Sequence, residues 1–245
     1  MLWEASVVGG YRLAGLDGAI GSVRDFYFDD QSWVIRYLIA DTGNWLTGIH
    51  ISIARAALTE VDGGARHISV DMTKEQIERS PVLSSQAPVS EQLEAVSFGI
   101  YGSPEMGPDK PGRGPAVRGM RRDPHLRSTH HVRGYHVEAA DGDVGVVSDF
   151  IIADATWAIR YLVIDTQNWL PGRHVLISPR WIERVSWSKS SVLVSLSRGT
   201  IEQSPEDPGG SLRTREYETR LHEHYGRRGY WVHEPVTKGP GAGNA

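Results

Sequence analysis

The sequence contains two copies of one unit. Gly10-Tyr11 aligns with Gly134-Tyr135, and the offset of 124 residues then holds without a gap to Ser80-Pro81, which aligns with Ser204-Pro205. Of these 72 aligned positions, 28 are identical. A unit of about 90 to 100 residues is too long for a solenoid repeat and long enough for a domain. We therefore predict two copies of one self-sufficient fold.

Composition divides the chain into four parts. Residues 1–101 and 132–232 hold the two copies, residues 102–131 are rich in Gly, Pro and Arg, and residues 233–245 offer little to bury. We predict that residues 102–131 are a flexible linker and that residues 233–245 are a disordered tail. Because the linker is basic, RNA or anionic lipid binding stays open beside a merely solubilising role.

Apolar residues inside each copy alternate with a period of two. Residues 33–40 place four aromatic or β-branched side chains on one face of a predicted strand, and other short alternating segments surround it. Helical signals are short, a single turn at residues 74–79 and a helix over residues 211–226. The pattern predicts a mainly β fold, with two small antiparallel β-barrels in tandem, each followed by a short C-terminal helix.

Composition also excludes several functional classes. The chain has no Cys, so thiol nucleophiles, Fe–S clusters and Cys-ligated zinc are excluded. No apolar run approaches the roughly 18 residues that cross a bilayer, and the first residues lack the pattern of a secretory signal. We therefore expect a cytoplasmic protein with no integral membrane segment. The formal net charge of −4 does not indicate a dedicated nucleic-acid binder.

No catalytic, cofactor-binding or metal-ligating residues are predicted. The sequence has no nucleophile elbow, phosphate loop or dinucleotide fingerprint. His222 and His224 are two residues apart and do not share a helix face, so we interpret the histidines as solvated or helix-capping. A pocket that gathered Arg160, Asp149 and His174 would instead indicate a hydrolase or metal enzyme.

One loop motif occurs in both copies. Its Asp and Asn side chains can cap backbone amides in a turn, and its Trp either packs under the loop or anchors a partner. Both interpretations stay open for the candidate interaction or loop-shaping residues, which are Asp41, Asn44, Trp45, Asp165, Asn168 and Trp169.

Each copy also has one arginine on an otherwise apolar strand. Such an arginine usually pairs with a carboxylate. We therefore predict structural ion pairs of Arg36 with Asp25 or Asp41, and of Arg160 with Asp149 or Asp165. The alternative is that these arginines belong to an active site.

These residues together resemble the PRC-barrel domain family. The motif that carries the resemblance is Gly21-x-Val23-x-Asp25-Phe26, then Ile35-Arg36-Tyr37-Leu38-Ile39-Ala40-Asp41-Thr42, then Trp45-Leu46. It recurs as Gly145-x-Val147-x-Asp149-Phe150, then Ile159-Arg160-Tyr161-Leu162-Val163-Ile164-Asp165-Thr166, then Trp169-Leu170.

The resemblance implies a function as well as a fold. PRC-barrel domains occur in the cytoplasmic part of the photosynthetic reaction-centre H subunit and in the ribosome-maturation factor RimM. This implies a non-catalytic adaptor or scaffold that binds protein partners, with docking on a membrane complex as one variant and no cofactor. The alternative is a factor that assembles with the ribosome or RNA through the basic linker. The partner's identity and homo-oligomer formation stay open.

Overall fold

The computed structural model describes residues 1–43, 50–79, 82–83, 125–166 and 172–232 of the chain. Within these ranges each repeat forms one β-sheet, and the helices are few and short. The mainly β fold with two barrel-like units in tandem is therefore confirmed.

The strands are β1 (Leu2–Glu4), β2 (Arg12–Gly15), β3 (Gly18–Asp29), β4 (Val34–Asp41), β5 (His50–Ala54), β6 (Leu58–Asp62), β7 (His67–Val70), β8 (Val82–Leu83), β9 (Leu126–Ser128), β10 (His136–Ala139), β11 (Gly142–Ala153), β12 (Ile159–Asp165), β13 (His174–Ile177), β14 (Ile182–Ser186) and β15 (Ser191–Val194). The helices are α1 (Ala5–Val8), α2 (Lys74–Glu78), α3 (Thr129–Val132), α4 (Arg198–Glu202) and α5 (Arg215–His224). Single 3₁₀ turns cover Arg55–Ala57, Pro179–Trp181, Gly210–Leu212 and Tyr230–Val232.

The two sheets follow the same strand order. It is β6-β7-β2-β3-β4-β5-β8 in the first repeat and β14-β15-β10-β11-β12-β13 in the second. Neighbouring strands are antiparallel except for β2 with β7 and β10 with β15, which are parallel. The predicted antiparallel arrangement therefore holds except for one parallel pair in each sheet. In that pair, the first strand of the β2–β7 or β10–β15 run lies beside its last strand.

The longest hairpin of the first repeat bends around the core. Strand β3 has 12 residues, and its pairing with β4 shifts between Val23 and Asp25 and again between Tyr27 and Phe28. A bulge kinks its strand and increases the local twist. The β11–β12 hairpin has matching irregularities, so both sheets curve in the same way.

The two repeats pack against each other around a pseudo-two-fold axis. Val34 forms a bridge with Ala158, its own equivalent in the other repeat. On either side of this bridge, Ile35 N donates to Trp157 O at 2.8 Å, and Ile159 N donates to Trp33 O at 2.7 Å. Equivalent residues can meet in this way only at a two-fold axis. One apolar cluster with members from both repeats fills the core.

Each repeat also gives its first strand to the sheet of the other. Strand β1 pairs with β11 of the second repeat, and β9 pairs with β3 of the first. Strands β1 and β9 have the same offset of 124 residues as the rest of the repeat. The exchange is therefore reciprocal, and it joins the two barrels into one body.

The end of the predicted linker differs from the prediction. The sequence places residues 126–131 in the flexible segment 102–131, but they form β9 and most of α3, and Leu126 is buried. They belong to the second repeat as the counterparts of β1 and α1. The short strand contains a single apolar residue, so its sequence carries no alternation that could reveal it. Residues 102–124 and the predicted tail 233–245 lie outside the described residues.

The predicted helices in the described part of the chain are present. Helix α2 is a single short segment that begins with a capping box between Thr73 and Gln76. Helix α5 packs on the second barrel through Tyr217 and Leu221, both buried. The corresponding helix of the first repeat would lie outside the described residues. In the described part of the chain, no helix has the length and apolarity needed to span a membrane.

Candidate functional site

The loop motif shared by the two repeats starts at a tight backbone contact. A Cβ atom at Gly21 would lie 2.0 Å from Asp41 O, and one at Gly145 would lie 2.1 Å from Asp165 O. Both glycines also have a positive φ, +155° and +148°. No other residue type fits at these two positions. The glycines of the motif therefore allow β3 and β11 to approach the ends of β4 and β12, where the loop begins.

Of the predicted loop residues, the two aspartates lie within the described part of the chain. Asp41 Oδ1 accepts a hydrogen bond from Gly43 N at 2.9 Å, which is the turn-forming contact that the sequence predicts. Asp165 ends β12 at the equivalent position. Asn44, Trp45, Asn168 and Trp169 lie outside the described residues, so the choice between packing and anchoring stays a prediction.

The predicted pair between Arg36 and Asp25 is not formed. Arg36 lies on an exposed stretch of β4 and contacts Asp29, with 3.5 Å between Nη1 and Oδ2. Asp25 pairs across the hairpin with Ile39, and Arg36 is three residues from Ile39. Three residues of strand span about 10 Å, which is too far for an ion pair. Arg36 also lies at the register shift between Tyr27 and Phe28, next to Asp29 rather than Asp25.

The same geometry separates Arg160 from Asp149 in the second repeat. Asp149 lies opposite Val163 and binds Arg133 instead, with 2.7 Å between Oδ1 and Nη2. Arg160 is buried, donates to Thr156 Oγ1 at 3.0 Å, and places its guanidinium carbon 3.9 Å from the ring centre of Tyr230. The predicted pair is therefore replaced by a cation–π contact with the C-terminal segment.

His222 is buried, which contradicts its interpretation as a solvated or capping residue. It lies on the inner face of α5 with 2% of its surface exposed. The Tyr161 hydroxyl lies 3.0 Å from His222 Nε2 and 2.9 Å from Glu218 Oε1, and Tyr230 also donates to Glu218 at 2.9 Å. Burial lowers the pKa of His222 below its ordinary value, and the charges of Arg180 and Arg215 lower it further. This polar network attaches α5 to the second barrel.

A cleft of about 390 Å³ opens where the N-terminal segment crosses the second barrel. One side comes from β1 and α1, which begin the first repeat, and the other from β11, β13 and the loop before α5. Both repeats therefore build this site. Its charged and polar lining consists of Glu4, Ser6, Ser148, Asp149, His174, Asp207 and Arg213.

Arg213 holds the two sides of the cleft together. Its side chain is 2% exposed, and Nη2 lies 2.6 Å from Glu4 Oε1 and 2.5 Å from Asp207 Oδ2. Burial alone would lower the pKa of Arg213, but hydrogen bonds and charge from Asp207, and then from Glu4, raise it above its ordinary value. The guanidinium therefore stays charged and fixes the N-terminal strand against the C-terminal loop.

Asp149 forms the floor of the cleft. It accepts hydrogen bonds from Ser6 through both the backbone amide and the hydroxyl, in addition to its contact with Arg133. Two exposed apolar residues are sequence neighbours of lining residues: Val7 follows Ser6 and is 44% exposed, and Leu212 precedes Arg213 and is 65% exposed. The carboxylates of the cleft are ion-paired, Glu4 and Asp207 with Arg213 and Asp149 with Arg133, and we call Val7 and Leu212 the rim.

Sequence reasoning missed this cleft because its residues are far apart in the chain. Glu4 and Arg213 carry no motif, and only the strand exchange brings them together. Of the three residues whose convergence would indicate an enzyme, Asp149 and His174 line the cleft and Arg160 is not part of its lining. Among the described residues, no three His, Cys, Asp or Glu side chains are placed to hold a metal ion.

A smaller cavity of about 110 Å³ lies between the repeats beside α1 and α3. Its lining includes Ser6, Arg24, Asp25, Thr129, His130 and Arg133. Asp25 already accepts hydrogen bonds from the α3 segment, as Asp149 does from Ser6 and Arg133. We interpret this cavity as part of the junction between the repeats.

Comparison with known proteins agrees with the fold. Residues 16–77 match the family model of the PRC-barrel domain. No curated protein matches the chain at a significant level. The matched segment runs from the turn before β3 to α2, and the second repeat has the same strand order and the same sequence motif. Residues 16–77, in the first repeat, are therefore similar to the PRC-barrel domain.

Proposed function

We propose that the protein is a non-catalytic adaptor that binds a protein partner at the cleft between its N-terminal segment and its second barrel. The PRC-barrel match suggests a protein-interaction module. The observation that carries the proposal is the position of the cleft, because it exists only when the two repeats are joined. A partner that binds there recognises the assembled tandem.

The chemistry of the cleft indicates what kind of partner segment it accepts. Glu4, Asp149 and Asp207 contribute three carboxylates to the lining, and Arg213 and Arg133 pair with them, so one negative charge is in excess. Val7 and Leu212 add exposed apolar surface at the rim. A segment with a basic side chain flanked by apolar residues complements this surface in both charge and polarity.

A rim substitution tests the proposal without touching the core. Leu212→Asp places a charge on the rim, and Leu16→Asp is the matched control, because Leu16 is 66% exposed and lies at the β2–β3 turn of the first repeat. We expect Leu212→Asp to lose proteins that co-purify with the wild type and Leu16→Asp to retain them, with equal melting temperatures. Retention by both variants would contradict the proposed site.

Sedimentation in a gentle lysate distinguishes the variants of the adaptor hypothesis. Co-migration with membrane complexes would support docking like that of the reaction-centre subunit, and co-migration with ribosomal subunits would support the alternative. The described arginines near the basic linker already have carboxylate partners, since Arg127 binds Asp30 and Arg133 binds Asp149. We therefore favour a protein partner over RNA.

A further inference from the structure

The exchanged strands are equivalent in position but not in chemistry. In the first sheet, the carboxylate of Asp25 accepts hydrogen bonds from the incoming β9–α3 segment. Its donors are Ser128 Oγ at 2.5 Å, Thr129 Oγ1 at 2.7 Å and His130 N at 3.1 Å. The backbone amide of Phe26 also donates to Asp25, at 2.8 Å, so three of its four donors come from the exchanged segment. Loss of these three would leave a partly buried carboxylate poorly satisfied.

The β1–α1 segment supplies only part of this set. Ser6 corresponds to His130, and in the second sheet its amide and hydroxyl donate to Asp149, the counterpart of Asp25. At the offset of 124 residues, Glu4 corresponds to Ser128 and Ala5 corresponds to Thr129. If β1 entered the first sheet, the carboxylate of Glu4 would stand where the Ser128 hydroxyl now touches Asp25, and Ala5 would offer no hydroxyl. Two carboxylates in this place repel each other.

In the second sheet, the same residue is favourable. There Glu4 accepts from Arg213 Nη2 at 2.6 Å. Asp149, the counterpart of Asp25, lines the same cleft as Glu4, so a carboxylate is near Glu4 in the second sheet as well, and Arg213 supplies the balancing charge there. If β1 entered the first sheet, Glu4 would meet Asp25 without Arg213.

A second carboxylate of the first sheet, Asp30, also binds side chains of the β9 segment. Asp30 has a side chain that is 7% exposed, and it lies 2.8 Å from Arg127 Nη2 and 2.9 Å from His125 Nδ1. The residue that corresponds to Arg127 in the first repeat is Trp3, which has no positive charge. In the second sheet Asp154 is the counterpart of Asp30, and the amino group of Met1 pairs with it at 2.6 Å. With β1 in place of β9, Asp30 would therefore lose its arginine and retain at most this one cationic partner.

We propose that Glu4 and Ser128 decide which sheet each exchanged strand joins. The first sheet accepts the leading strand of a second repeat and rejects the leading strand of a first repeat, including that of another copy of this chain. The two repeats are therefore specific for each other, and the contacts that bind them also prevent first repeats from pairing between copies.

The variant Ser128→Glu tests this in the full chain, because it presents to the first sheet the residue that β1 would bring. Hydrogen exchange of the backbone amides of β9 is the measurement, with Ser128→Gln as the uncharged control of equal size. We expect exchange to become at least about tenfold faster in Ser128→Glu than in Ser128→Gln, because like-charge contacts in an interface are strongly unfavourable.

The second variant removes the opposing charge. Asp25→Asn in the Ser128→Glu background is expected to slow the exchange of β9, or to restore folded protein if Ser128→Glu alone does not fold. Equal acceleration by Ser128→Gln and Ser128→Glu would overturn the proposal, because size and not charge would then be the cause. So would a Ser128→Glu chain that Asp25→Asn does not improve.

Discussion

The two repeats contain the same Ile-Arg-Tyr-Leu motif and use it differently. In the first repeat, Arg36 has half of its side chain exposed, and Tyr37 is half-buried. In the second repeat, Arg160 and Tyr161 are buried, because α5 and the turn at Tyr230–Val232 cover that face of the barrel. The same residues therefore become surface in one repeat and core in the other, depending on what packs over them.

Substitution of the motif glycine that contacts the loop backbone, Gly21 or Gly145, is expected to reduce stability most. Gly145→Ala would place a Cβ atom 2.1 Å from Asp165 O, and Gly21→Ala would create the same overlap with Asp41 O. We expect each to reduce the free energy of unfolding by about 4 kcal/mol or more, because backbone must move to relieve the overlap. Thermal denaturation of the two variants measures this directly, and it should be similar in both repeats.

A glycine with positive φ but open surroundings is the control for this substitution. Gly172 has φ of +78°, and no atom lies within 4 Å of the place that a Cβ atom would take. Gly172→Ala therefore carries only the conformational cost of about 1 kcal/mol. If Gly145→Ala costs no more than Gly172→Ala, the close approach to Asp165 is not what requires glycine.

The second largest difference is expected between the stability losses caused by replacing Arg160 and Arg36, the arginines of the shared motif. Arg160→Ala removes the contact with Tyr230 and the hydrogen bond to Thr156, and we expect a loss of about 2 kcal/mol. Arg36→Ala removes an exposed contact of 3.5 Å, which is worth less than about 0.5 kcal/mol. Urea denaturation of both variants measures the difference, and equal losses would show that the covering segment does not distinguish the repeats.

Much of the barrel could be predicted from the sequence, and the joining of the barrels could not. The alternation of apolar residues and the internal repeat are both present in the sequence. The strands around residues 33–40 and the two-unit organisation can therefore be predicted from it. The partners of Asp25 come from Ser128 and Thr129, about a hundred residues away. Such contacts depend on which sheet a three-residue strand joins, and a strand that short has no periodicity to read.

The burial of His222 is also beyond what the sequence can predict. Its spacing from His224 argues against a shared metal-binding face, but it does not reveal which of the two faces the core. The packing of α5 decides that, because Tyr217, Glu218, Leu221 and His222 all turn toward the barrel.

Tyr161→Phe tests the polar network that only the second repeat forms among the described residues. Loss of the hydroxyl leaves Glu218 and His222 without one of their partners in a buried site. We expect a loss of about 1.5 kcal/mol in the free energy of unfolding. Tyr37→Phe in the half-buried equivalent position should cost less, and the reverse order would contradict the role assigned to α5.

The smallest expected difference is in the dependence on pH. Burial lowers the pKa of His222 in the folded protein, so the unfolded chain takes up a proton first as the pH falls through the ordinary histidine value of about 6.5. The contribution of neutral His222 to stability is therefore present above that pH and is lost progressively below it.

We expect the melting temperature to fall between pH 7 and pH 5. His222→Gln should reduce this dependence on pH and lower the melting temperature at pH 7. His174→Gln is the matched control for replacing a histidine, because His174 is exposed at the start of β13. A slope that His222→Gln does not alter would show that other groups, and not the buried imidazole of the second repeat, give the protein its response to acid.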